Sequence, residues 1–119
     1  MTPTEAAAAA LAKLPGSIRI AGFDIAIRIL PVLESVSLNQ WGSFSSMAQI
    51  LTLQAVMPSV CKVADTLFHE MHHAICWAYN VHGDDKEERN AGTMGTAWVQ
   101  IHRDNPWLAR WLLSELHGE

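Results

Sequence analysis

The chain has 119 residues, half of them apolar, and carries a formal net charge of −4. That length suits one domain with a real core, and the apolar content excludes a disordered chain. No basic cluster marks a nucleic-acid surface, and no apolar run approaches the ~18 residues of a membrane span.

The first predicted element is a helix over "TPTEAAAAALAKL". Thr2 suits the cap, Pro3 the first helical position, and Glu5 completes a capping box. Pro15-Gly16 ends it. Its alanines offer little bulk to bury, so residues 1–16 are expected to be peripheral. They lack the positive charges of a secretory signal and read as part of the mature protein. In "SIRIAGFDIAIRIL" the period changes to strand alternation, carried by Ile18 and Ile20 and then Ile25, Ile27 and Ile29, with "AGFD" as the turn. Pro31 opens a loop. One or two strands follow between Trp41 and Val56, centred on 48–55. The strongest helix signal covers "MPSVCKVADTLFHEMHHAICWAYNVHG", begun at Pro58-Ser59 and ended before Gly83. Val60, Val63, Ala64, Leu67, Met71, Ala74, Ile75 and Ala78 form its apolar stripe. "DDKEERNAGTMGTAWVQIHRDN" predicts a second helix with an acidic start, and "PWLARWLLSEL" a third. Helix, strand group and three helices make a single α+β domain over 1–119.

Cys61 and Cys76 fall on one predicted helix, roughly 22 Å apart. A disulfide needs Cα atoms within about 7 Å, so they do not pair. Unpaired thiols fit a reducing compartment, and the expectation is a soluble cytosolic domain. Of the five tryptophans, Trp107 and Trp111 are assigned to the core in preference to a dimer patch.

The same helix carries His69-Glu70-Met71-His72-His73, which contains His-Glu-x-x-His. His69 and His73 stand one turn apart on one face. Two imidazoles so placed can grip one Zn²⁺. Glu70 is then positioned to take a proton from a water that the metal activates. At ~100° per residue, both histidines point away from the apolar stripe. The competing reading is a histidine-rich, solvated face.

A third ligand must come from elsewhere. Glu88 is preferred by phase, because it shares a face with Ala91, Gly92, Gly95 and Val99, whose small side chains would let the second helix approach the metal helix. Glu87, in phase with Ala91, Met94 and Trp98, is the alternative, and an acidic, solvated helix start is the bland explanation of both. His72 has no assigned task and reads as a tolerated, partly exposed residue or as a substrate-side group. Tyr79 and His82 are candidates to stabilise an oxyanion, and Asp65 to orient an imidazole. Cys76 reads as a packed, inert thiol.

"TLFHEMHHAI" followed by "EERNAGTMGTAWVQIHRDNPWL" resembles the small zincin-like metallopeptidase proteins of phages and prophages, distantly similar to ImmA/IrrE-type peptidases. The resemblance covers roughly residues 17–112. It implies a minimal zincin-like domain, a glutamate third ligand at Glu88, three residues before Ala91, and a bacterial cytoplasmic location. His72 replaces an apolar residue of that pattern, and "AGTMGTAW" is smaller than its leucine-rich counterpart.

The resulting expectation is a Zn²⁺-dependent hydrolase of peptides or proteins. Its metal ligands are His69, His73 and Glu88, its general base is Glu70, and an edge strand beside the helix holds the substrate. The alternative is a metal-stabilised binding or regulatory module without turnover. Neither reading involves nucleic acid or membrane, and neither fixes the oligomeric state.

Overall fold

The computed structural model describes residues 1–32, 40–81 and 87–118, the side chains of 87–90 excepted. Among the described residues eight elements follow in chain order: α1 (Pro3–Ala12), β1 (Ser17–Ile20), β2 (Phe23–Ile29), β3 (Gly42–Ser45), β4 (Ile50–Leu53), α2 (Val60–Ala78), α3 (Glu87–Asp104) and α4 (Pro106–Leu116). The fold class is α+β, as the patterning predicts. Among the described residues, no helix is long and apolar enough to cross a membrane.

The four strands form one sheet in the order β1-β2-β4-β3. β1 and β2 are an antiparallel hairpin with Ile20 opposite Phe23. Its two-residue turn, Ala21-Gly22, has positive φ at both positions (53° and 86°), the geometry that matches the twist of a hairpin. The turn is therefore shorter than the four residues expected, and Phe23 and Asp24 already belong to β2. β4 runs parallel to β2, and β3 folds back antiparallel to β4 at the sheet's end. The region 41–56 thus holds two short strands.

Local chemistry sets the helix starts. Thr2 and Glu5 make both bonds of the expected capping box, and Ser59 accepts from the Lys62 amide at 3.1 Å to open α2. The predicted stripe of α2 is buried from Val63 through Ile75, with Leu67, Met71 and Ile75 fully inaccessible. Burial of each such side chain contributes roughly 1.5–3 kcal/mol. They meet Ile18, Ile20 and Ile25 of the hairpin and Leu51 and Leu53 of β4 in one core cluster.

α1 departs from its expected place at the periphery. Ala7, Ala10 and Leu11 are buried in the core, because small side chains let the helix backbone lie close against its neighbours. Trp111 of α4 fixes it there, donating its indole N–H to the Ala10 carbonyl at 3.0 Å. Trp111 is accordingly core, as expected, and Trp107 is half-buried against it.

The two edges of the sheet are treated differently. At the β1 edge, Ser17 and Arg19 face outward by register, and Asn105 caps Arg19 as a neighbouring strand would. Its Oδ1 accepts from the Arg19 amide at 2.9 Å, and its Nδ2 donates to the Arg19 carbonyl at 2.7 Å and to the Ile101 carbonyl at 2.8 Å. Asn105 is 4% exposed. Asn105→Ala is expected to cost about 1–3 kcal/mol, since it leaves the part-buried Arg19 amide and carbonyl without this partner. A urea titration with unchanged slope measures this, and a loss below about 1 kcal/mol would show that the cap is dispensable.

Candidate metal centre

α2 supplies one wall of a cleft of about 680 Å³ and β3 supplies the other. Along α2 the cleft is lined by Lys62, Asp65, Thr66, His69, Glu70, His73 and Trp77, and along β3 by Gly42, Ser43 and Phe44, with Trp41 just before the strand. Residues 66, 69, 70, 73 and 77 fall on one side of a 3.6-residue helix, flanking the apolar stripe, with Thr66 and Glu70 buried at the boundary.

His69 and His73 are exposed in this cleft, as their phase predicts. Their Nε2 atoms converge to 3.3 Å, with ring planes at 74°. Two nitrogens bound ~2.0–2.1 Å from one tetrahedral Zn²⁺ stand about 3.3 Å apart, so the pair already has the spacing of two corners of a tetrahedral site. Among the described residues, no group of three potential ligands is assembled. The pair supplies two ligands, and the candidate third ligands, Glu87 and Glu88, have side chains outside the described residues, as does His82.

Glu70 is 6% exposed. Its cover is Gly42, where a Cβ would sit 2.8 Å from Thr66 Cγ2, 2.9 Å from the Thr52 carbonyl oxygen and 3.2 Å from Glu70 Cγ. Among the described residues, the Glu70 carboxylate has no hydrogen-bond or ion-pair partner. A buried carboxylate without partners is costly, and such groups concentrate where chemistry requires them. Thr66, also buried, uses its hydroxyl to donate to the Lys62 carbonyl at 2.7 Å, which turns its methyl toward Gly42.

The other candidates lie elsewhere. Asp65 is in the cleft but pairs with Lys62 at 3.5 Å. His72 is exposed and does not line the cleft. Tyr79 does not line it either, and its hydroxyl donates to Gln100 Oε1, tying α2 to α3. Burial pushes the Cys76 thiol above its ordinary pKa, which disfavours a thiolate. Both cysteines are free.

The small-residue face of α3 does not pack on α2. Ala91, Gly92, Gly95 and Val99 are exposed, and a Cβ added at Gly92 or Gly95 meets nothing within 4 Å. The inward face is Met94, Ala97, Trp98 and Ile101, with Trp98 stacked on Phe68 at 5.2 Å. Bulky apolar groups gain more from burial than glycines do, and this decides the helix's rotation. The phase reason for preferring Glu88 therefore fails.

Gly42, Thr66, Phe44 and Trp77 were not singled out from sequence. Trp77 was within reach, because 69, 73 and 77 form one i,i+4 row. Gly42 had no local signal, since its partner Glu70 is 28 positions away. Comparison with protein-family models, curated proteins and solved structures gives no match.

Proposed function

We propose that the chain is a Zn²⁺-dependent hydrolase that cleaves peptide bonds. The observation that carries this reading is the convergence of His69 and His73 Nε2 to 3.3 Å, in a cleft that also holds a buried Glu70, unpartnered among the described residues. His69 and His73 would hold the metal through Nε2, and a carboxylate from the start of α3 would complete the set. The phage zincin resemblance supports Glu88 in that place, and the inward row of Met94 and Trp98 supports Glu87. Bound there, Zn²⁺ supplies an acidified water and a Lewis acid for the carbonyl.

The chain's own residues do the rest. Glu70, held against Gly42 in the wall of the cleft, would accept the proton of the attacking water and return it to the leaving nitrogen. β3 orients the substrate. Its register with β4, and the bond from the Gln54 amide to the Trp41 carbonyl at 3.0 Å, turn Ser43 and Ser45 inward to β4. Gly42 and Phe44 then direct their N–H and C=O groups to the outer edge. Among the described residues no strand covers that edge, so an extended peptide can pair there.

Metal content of protein purified without added zinc tests the reading, and about one Zn²⁺ per chain is expected. Saturating Zn²⁺ should raise the melting temperature by on the order of 10 °C. Removing the true third ligand, by Glu88→Ala or Glu87→Ala, should weaken zinc binding by more than about 100-fold, beyond the 10–100-fold typical of a group behind a ligand. The other variant should change it little. Metal-free protein whose melting is indifferent to zinc would overturn the metal site, and a metal-loaded protein that cleaves no peptide in a broad library would overturn the hydrolase.

A further inference from the structure

We propose that Trp77 and Phe44 form a subsite for a large apolar side chain of the peptide held along β3, a specificity that rests on the hydrolase reading of the same cleft. Trp77 stands one turn beyond His73 on the cleft face of α2, and Phe44 faces it from β3; both line the cleft. Their ring centroids are 5.7 Å apart. From outside the cleft lining, Phe23 packs on Trp77 at 4.7 Å. Tilted contacts of this kind are favoured between aromatic rings, and the indole is braced by both phenyl groups.

Trp77 is not part of the hydrophobic core. It is half-buried, packs against these two rings and lines the cleft. A rigid aromatic face left in water beside an open strand edge is a preformed binding surface for an apolar group. The opposite end of the cleft differs. There Lys62 lies 5.6 Å from the centre of the Trp41 ring and pairs with Asp65, so that end is charged.

Position along the peptide follows from geometry. Four residues of helix separate His73 from Trp77, about 6 Å. An extended peptide advances about 3.4 Å per residue. The side chain that reaches Trp77 therefore belongs to a residue one or two positions from the scissile bond. Alternation along the strand sends its immediate neighbours to the other face.

A peptide library randomised around the cut site tests this with two readouts, cleavage by the wild-type protein and affinity selection by Glu70→Gln protein. Cleaved peptides are expected to favour Leu, Met, Phe or Trp over Ala at one position within two residues of the cut. Trp77→Ala should reduce that preference ratio by at least about tenfold. Trp77→Leu, which keeps an apolar group against Phe23 and Phe44, should reduce it less, and thermal melting confirms that each variant is folded. Cleavage with no apolar preference at any such position, or with a preference unchanged in both variants, overturns the subsite and leaves the hydrolase standing. Selection of apolar peptides by Glu70→Gln protein, lost on adding Trp77→Ala, without cleavage by wild type, overturns the hydrolase and keeps the subsite. Neither cleavage nor selection overturns both.

Discussion

Glu70→Gln is expected to lower kcat/KM for peptide cleavage by about 10²–10⁴-fold, the usual contribution of a general acid–base, while leaving Zn²⁺ stoichiometry intact. Glutamine has nearly the same shape, so it fits under Gly42, where the Glu70 Cγ lies 3.2 Å from the position of an added Cβ. The amide cannot accept and return a proton. Stability supplies a second, independent sign. The native carboxylate is buried and, among the described residues, unpaired, so folding bears its desolvation cost. A neutral amide reduces that cost, and the variant should melt at the same temperature as wild type or higher. Loss of cleavage with retained or raised melting temperature identifies a group kept for chemistry at the expense of stability. Equal cleavage by the two proteins would remove Glu70 from the mechanism. Reduced melting with intact cleavage would make its role structural.

What could be read from sequence divides along local and nonlocal lines. The stripe of α2, the Ser59 cap, the Thr2–Glu5 box and the outward phase of His69 and His73 depend on residues within a turn or two of each other. The structure reproduces them. The burial of α1 depends on packing against α2 and on the bond from Trp111, 101 positions downstream, and the alanine pattern alone holds no trace of either. The rotation of α3 does not follow its small residues; packing half-buried Trp98 against Phe68 outweighs what Ala91, Gly92, Gly95 and Val99 can offer. The burial of Glu70 was also hidden, because its cover is a glycine on a strand whose place in the sheet follows from β3 folding back beyond β4.

On the proposed reading, the open sheet edge, an otherwise hazardous feature, is put to use as a peptide site. An open strand edge invites unwanted pairing. The β1 edge is closed at Arg19 by the Asn105 amide. The β3 edge carries no such cap among the described residues and lies beside the histidine pair. β3 is also only four residues long, and its outward groups are those of Gly42 and Phe44. A short open edge limits pairing to a segment of a few residues, which suits one extended peptide better than the edge of another sheet.

Gly42→Ala is expected to reduce cleavage by about 10–100-fold, on the scale of a 1 Å misplacement in a catalytic geometry, and to cost about 1–3 kcal/mol of stability through overpacking. Backbone conformation is not the reason, since Gly42 does not have positive φ. Space is the reason. The added methyl would meet Thr66 Cγ2 at 2.8 Å and the Thr52 carbonyl oxygen at 2.9 Å, well inside the ~3.5–4.0 Å of an ordinary carbon contact. The Thr52 carbonyl belongs to β4, opposite Ser43 in the ladder, and cannot retreat without opening the sheet. Thr66 is held by its bond to the Lys62 carbonyl. β3 must therefore move outward from α2, taking the peptide-pairing groups of Gly42 and Phe44 away from Glu70 and the histidines. Zinc affinity should change little, because His69 and His73 both belong to α2. Adding Thr66→Ser deletes the closest contact and should restore part of both activity and stability; the carbonyl contact remains, so full recovery is not expected. Wild-type cleavage by the Gly42→Ala protein would separate β3 from the site. Loss of zinc in that variant would instead show that the strand wall, and not the helix alone, holds the histidine pair in register.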